Sequence, residues 1–188
     1  MTTSATGGFL TPQAPPAPGP LDGAGLNDFL QPMLVAMTGI DPTLVRPAFQ
    51  SEPPNVPDAG VAWMAFRYTQ RPADDFPALV HRDGYDEFQR HEAIHTLCSF
   101  YDLGTSGLAD YYASLLRDNL MVPQNAEYLT AQGFGVAVVQ DKTAVPVIVK
   151  MRWQYRVDVP FVLRRAVVRW YNVLNVASSD GVIHGQFD

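Results

Sequence analysis

Apolar and polar residues alternate along this chain in two rhythms, and the rhythm changes mark its elements. Leu26, Phe29, Leu30, Met33 and Met37 recur at three- and four-residue steps, which predicts an amphipathic helix ended by Gly39. Pro32 sits inside that run and predicts either a kink or a helix that begins near Gln31. Val61–Tyr68 is short, aromatic-rich and apolar on both sides, as expected of a strand. From about Gln89 to Tyr101 the period becomes two. Ile94, Thr96, Cys98 and Phe100 share one face, with His91, His95 and Ser99 on the other.

A second helix is expected over 106–120, with Leu108, Tyr111, Tyr112, Leu115 and Leu116 as its apolar stripe and Ser106 as N-cap. A short helical piece follows over 125–131, ended by Gly133, and then a valine-rich strand over 134–140. Trp153, Tyr155, Val157 and Val159 alternate with Gln154, Arg156 and Asp158, and the pattern resumes from Phe161 to about Tyr171. The last third is therefore a hairpin or one long bent strand, with Pro160 at an edge, bulge or boundary. The segments between are a proline-laden connector over 41–57, expected to hold neither helix nor inner strand, and a loop over 70–88.

This order predicts an α/β chain of the α+β type. It is a single domain with a mixed, mostly antiparallel sheet of about four to five strands and helices on one face. Residues 1–20 read as an extended or disordered arm of small residues and proline, 21–175 as the domain and 176–188 as a tail.

Composition narrows the function classes. The 188 residues carry 13 basic and 19 acidic side chains, a net charge of −6, which gives no general attraction to nucleic acid. A single cysteine, Cys98, excludes an internal disulfide and a cysteine-rich metal site. No run approaches the roughly 20 apolar residues of a membrane span, and the first twenty residues lack the pattern of a secretory signal.

His91-Glu92-Ala93-Ile94-His95 matches H-E-x-x-H. A zinc hydrolase needs those histidines one helical turn apart, with the glutamate set to activate a metal-bound water. The β-branched and aromatic continuation Thr96–Tyr101 favours a strand, which holds the two imidazoles about 13 Å apart, too far to share one ion. No third ligand is spaced to help. Asp74, Asp75 and Asp102 read as turn or loop carboxylates. No catalytic, cofactor or metal residue is assigned.

Two stretches bear a resemblance. Arg46-Pro47-Ala48-Phe49-Gln50-Ser51-Glu52-Pro53-Pro54-Asn55-Val56-Pro57 leads into Trp63-Met64-Ala65-Phe66. Trp153-Gln154-Tyr155-Arg156-Val157-Asp158-Val159-Pro160 is followed by Leu163-Arg164-Arg165 and Arg169-Trp170-Tyr171. Together they resemble the phage neck terminator family, akin to tail terminator proteins of long-tailed phages, over about residues 25–175. The resemblance implies a non-enzymatic virion protein of the neck, assembled in the host cytoplasm without a cofactor. It implies a ring, commonly of six copies, that caps the tail tube and faces the head connector or stopper. It further implies contact with sheath, transient passage of DNA through the lumen, and no membrane. Candidate interface or lumen residues are Arg46, Phe49, Gln50, Asn55, Trp153, Arg156, Asp158, Arg164, Arg165 and Arg169. On a strand Arg165 and Arg169 share a face and Arg164 takes the other; Trp153 is a core or interface anchor. A head-side connector subunit shares the same features.

Overall fold

The structure, a computed structural model, describes residues 22–48, 57, 60–82, 85–103, 106–149 and 151–172. Phe49, Gln50 and Asn55, the arm and the tail fall outside that set. The fold is α+β, with a mixed, mostly antiparallel sheet and three α-helices packed alongside.

The larger of two compact units comprises residues 20–76 and 90–167. Helix α1 runs over Ala24–Thr38 with Pro32 inside it, so the late start near Gln31 is not observed. Proline removes the bond to the carbonyl four residues back, here that of Asp28. Both residues are exposed, so water can satisfy it. Gly39 ends the helix as expected, at φ 71°, its N–H donating to the Val35 carbonyl at 2.8 Å. The proline-rich connector is more structured than expected. A single 3-10 turn over Pro42–Leu44 leads into β1 (Val45–Pro47), which pairs in parallel with β2 (Trp63–Gln70).

Strand β4 spans Tyr85–Asp102 and bears out the period-two reading: Ile94, Cys98 and Phe100 are fully buried, whereas His91 is exposed. It pairs antiparallel with β2, setting Met64 opposite Phe100 and Phe66 opposite Cys98. Helix α2 (Leu108–Met121) follows, but its apolar stripe is not the expected one. Ala109, Ala113, Leu116 and Leu120 are buried, while Leu108 and Tyr111 are exposed. Small residues let α2 lie close to its neighbours, and its Asn119 amide donates to the Met37 carbonyl of α1 at 2.7 Å. The N-cap is Gly107, not the expected Ser106; the free N–H groups are met from outside it, Ser106 Oγ accepting from Leu108 N and the Asp102 carboxylate from Ala109 N at 2.9 Å.

Helix α3 (Pro123–Ala131) and β5 (Phe134–Val139) stand where expected. A further strand, β6 (Thr143–Val149), precedes β7, which runs from Arg152 to Tyr171 and passes straight through Pro160. The long-strand reading holds, and it comes with a hairpin partner. The sheet has seven strands in the order β1-β2-β4-β7-β5, with β6 also paired to β7 and β3 (Ala78–Arg82) to β4. The excess over four to five is β1, β3 and β6: three residues, an exposed pentapeptide, and a strand broken in pattern by Pro146.

Side-chain contacts fix the β4–β7 register. Glu92 meets Arg165 and Ser99 meets Asp158, so seven steps forward on β4 answer seven steps back on β7, an antiparallel pair. The core fills one sheet face. Leu26, Leu30 and Leu34 of α1 and Leu116 and Leu120 of α2 cover Met64, Phe66, Ile94, Phe100, Phe161 and Leu163.

The smaller unit includes, of the described chain, residues 77–82, 85–89 and 168–172. Here the expected loop holds the β3–β4 hairpin, registered from Ala78↔Gln89 to Arg82↔Tyr85. Tyr85 packs on Trp170 and Phe88 edge-on to Tyr171.

Candidate assembly surface and its charged centre

The helix-facing side of β4 alternates apolar residues with buried polar ones, Glu92, Thr96 and Asp102 among them, and that of β7 is apolar through Leu163 and then carries Arg165. Glu92 and Arg165 are almost wholly buried, at 6% and 4% exposure. Arg165 reaches the Glu92 carboxylate through Nε at 2.9 Å and a terminal nitrogen at 2.8 Å. Arg71, just past β2, approaches the same carboxylate with Nε 2.9 Å from Oε1. Asp22, which precedes α1, accepts from Arg165 at 3.0 Å and pairs with Arg71.

Two guanidinium groups thus meet two carboxylates, and the cluster has no net charge. That balance is what makes burial tolerable, since an unmatched buried ion is strongly destabilising. Hydrogen bonding from Arg71 is the main reason the Asp22 carboxyl titrates below its ordinary range. Burial pushes Glu92 up, but bonds from Arg71 and Arg165 outweigh it and hold that carboxyl low as well. Burial would lower Arg71, and the hydrogen bonds to Glu92 and Asp22 more than reverse it.

The opposite sheet face has its own polar pair. Asp158, 8% exposed, accepts from Ser99 Oγ at 2.7 Å and from Arg156 at 2.6 Å. Beside it Trp63 and Tyr101, opposite one another in register, stack at 4.2 Å with an 8° tilt. Both polar clusters are paired internally, although Arg71 Nε and Arg156 Nε make no well-directed hydrogen bond, and such pairing suits them to fix strands rather than to transform a ligand.

His91 and His95 lie four positions apart on β4, so the helical geometry of a zinc hydrolase does not form. The Glu92 side chain lies on the other face, taken up by arginines. Among the described residues no three His, Cys, Asp or Glu side chains are grouped to hold a metal. Burial, helped by the Asp158 charge, pushes the Cys98 thiol up and leaves it a poor nucleophile. No helix of the described residues is long and apolar enough to cross a membrane.

What remains outward is surface for contact. Ile148 and Trp153 face each other across the β6–β7 hairpin at 62% and 68% exposure, and Met151 at its turn is 95% exposed. Trp153 is therefore not a core residue. Beyond the hairpin, β5 and β6 form a sheet edge on which, among the described residues, no strand is paired. Arg164 is exposed and lines an open cavity of about 470 Å³ with His91, Gly133 and Gly135. Its neighbour Arg165 turns inward, as the face assignment requires. Arg46 lies on β1 and donates to the Thr43 carbonyl at 2.9 Å, while Arg169 is half-buried in the smaller unit.

Thus the structure brings Arg156 and Asp158 together and leaves Trp153 and Arg164 facing solvent. Sequence reasoning missed Asp22, Arg71 and Glu92 as one cluster with Arg165, and missed Asp102 as a helix cap. The usable signal was a carboxylate on the apolar side of a strand, which must find a partner when buried.

Comparison with known proteins agrees with a structural role. No curated protein matches the chain. A family model described as phage neck terminator protein matches residues 24–186, most of the chain, including every charged residue described above except Asp22. With that span matched, the chain belongs to the phage neck terminator protein family.

Proposed function

We propose that this chain is a structural, non-enzymatic subunit of a closed ring, six copies around, that ends the tail tube and joins it to the head connector. The carrying observation is the family match over residues 24–186. The internally paired polar clusters and the absence, among the described residues, of a grouped metal-ligand set are in keeping with it. So is the distribution of exposed apolar side chains. Trp153 and Ile148 at the β6–β7 hairpin, and Tyr111 and Met121 on α2, are exposed on different elements of the unit, as the two unlike surfaces of a head-to-tail contact require.

In this reading Trp153 is a lateral anchor, and Arg164 supplies positive charge to a neighbour or to DNA in the channel. Arg165 and Asp158 hold strands in place. The connector, the 70–88 segment and the chain ends face tube, sheath and head-side partners, and assembly takes place in the host cytoplasm. The test is a density map of the virion neck. A six-fold ring of this chain at the head–tail junction is expected. Its absence there, or a decoration on capsid or fibres, overturns the reading. A twelve-fold ring on the portal assigns the chain to the head side instead.

A further inference from the structure

Helix α1 covers the core with one side and carries a groove on the other. Asp28, Gln31, Pro32, Val35 and Ala36 of the helix, with Pro42 of the 3-10 turn, line an open, mainly apolar cavity of about 420 Å³. Asp28 is the one charged residue of the helix, and the exposed Asp41 precedes Pro42, so the rim is acidic. Pro32 has no N–H, which leaves the Asp28 carbonyl without its intrahelical donor and places a free acceptor on the same stripe. Such a recess suits a flat apolar group that carries one polar hydrogen and is flanked by positive charge.

The same unit exposes a group of that description. Trp153 shares its side of β7 with Tyr155, Val157 and Val159, so it continues the core face beyond the cover of the helices. Between Thr143 and Tyr155 the sequence holds two charged residues, Lys150 and Arg152, and both are basic. Charge separates this hairpin from other exposed aromatics. Phe76 follows Asp74 and Asp75, and Tyr128 follows Glu127, neighbours that an acidic rim repels. The two surfaces do not meet within one copy, because Leu26, Leu30 and Leu34 turn toward the sheet and Asp28, Pro32 and Ala36 turn away from it.

We propose that Trp153 of one copy seats in the α1 groove of a second copy, its indole N–H donating to the Asp28 carbonyl. This rests on the ring reading and names one lateral joint of the ring. The contact is head-to-tail, since hairpin and groove are unlike surfaces of one unit. A neighbour's α1 then covers the bare end of the sheet face, as each copy's own helices cover the rest. Burial of the indole supplies the anchor, and the basic hairpin against the acidic rim sets its direction.

The test is site-specific photocrosslinking of the full-length chain. A benzophenone amino acid replaces Met151, which is 95% exposed and two positions before Trp153. The concentrated purified chain and assembled particles are both irradiated, and linked peptides are read by mass spectrometry. The expected product joins two copies between the β6–β7 turn and Asp28–Pro42. Ala36→Trp fills the groove at an exposed helix position and should cut the product at least about tenfold. Pro32→Ala supplies the N–H that occupies the Asp28 carbonyl and should cut it about three- to tenfold. Circular dichroism should show helix content retained in both variants, since alanine and tryptophan are accepted in a helix. A link within one copy, a link to another segment or protein, no link in either preparation, or full yield from either variant overturns the proposal. A six-fold neck ring with its links elsewhere keeps the ring reading and removes this joint. The expected link in the purified chain, with no ring of this chain in the neck, keeps the joint and removes the neck placement.

Discussion

Glu92 and Arg165 lie 73 positions apart in sequence and form an ion pair with both side chains buried, with contacts of 2.9 and 2.8 Å. Glu92 looked like the general base of a metal site. It is instead the counter-ion that permits an arginine on the helix-facing side of the sheet. The polar atoms that made the motif conspicuous are the same atoms that knit β4, β7 and the start of α1.

Removing half of this pair should cost far more than trimming its rim. Glu92→Gln leaves two arginines facing one exposed carboxylate, and a loss of about 3–5 kcal/mol is expected in chemical denaturation. Asp22→Asn touches a side chain 54% exposed and should cost less than about 1 kcal/mol. Equal losses from the two variants would show that the cluster is not organised around Glu92.

Acid should act through the same two carboxyls. Both have folded-state pKa values below their unfolded ones, so the stability they contribute is fully present above about pH 4–4.5. It is lost as pH falls through the depressed folded values. Urea midpoints measured from pH 6 down to pH 2.5 should drop in the wild type. That drop should be shallower in Glu92→Gln, which has already lost the larger contribution.

Asp102→Ala removes a buried carboxylate that holds both Ser106 and the second N–H of α2. A destabilisation of about 1–2 kcal/mol is expected, with amide exchange quickening first at Leu108–Tyr111. Uniform quickening along the chain would argue against a cap.

Trp153→Ser should behave in the opposite way. The ring is largely in water in the single chain, so the unfolding free energy should change by less than about 0.5 kcal/mol. The yield of tailed particles from a complementing plasmid should nevertheless fall. A variant with normal yield would remove Trp153 from the lateral joint.

Cys98 gives a probe of folding that needs no label. In native protein a thiol-specific aromatic disulfide should release almost no thiolate at pH 8. Full reaction should follow only after unfolding, because the sulfur is buried and its pKa is raised.

Local rhythm made much of this fold legible. The alternation along Ile94–Phe100 needed no partner to be read, and Gly39 marked a helix end by its own backbone freedom. Failures arose where the outcome depended on what lay opposite. Pro32 breaks a helix only if Asp28 has no water to turn to, and the chain alone does not show which side of α1 is wet. Ala109 and Ala113 were overlooked because a small residue is apolar enough for a core and polar enough for a surface; close contact between helices decides. The charged cluster joins residues 73 and 143 apart, distances over which periodicity carries no information. Seven strands became visible only when β1, β3 and β6 found edges to join.

The long antiparallel contact between β4 and β7 also has a mechanical meaning. From Glu92 to Ser99 the strand lies against Arg165 to Asp158, anchored at each end by an ion or hydroxyl contact. A pull along such a pair loads its cross-bonds together, whereas a pull across an edge parts them one by one. The subunit is therefore stiffest along these two strands. A particle that must hold pressurised contents behind a joint would profit from turning that axis toward the load, and the weaker β5 and β6 edges away from it.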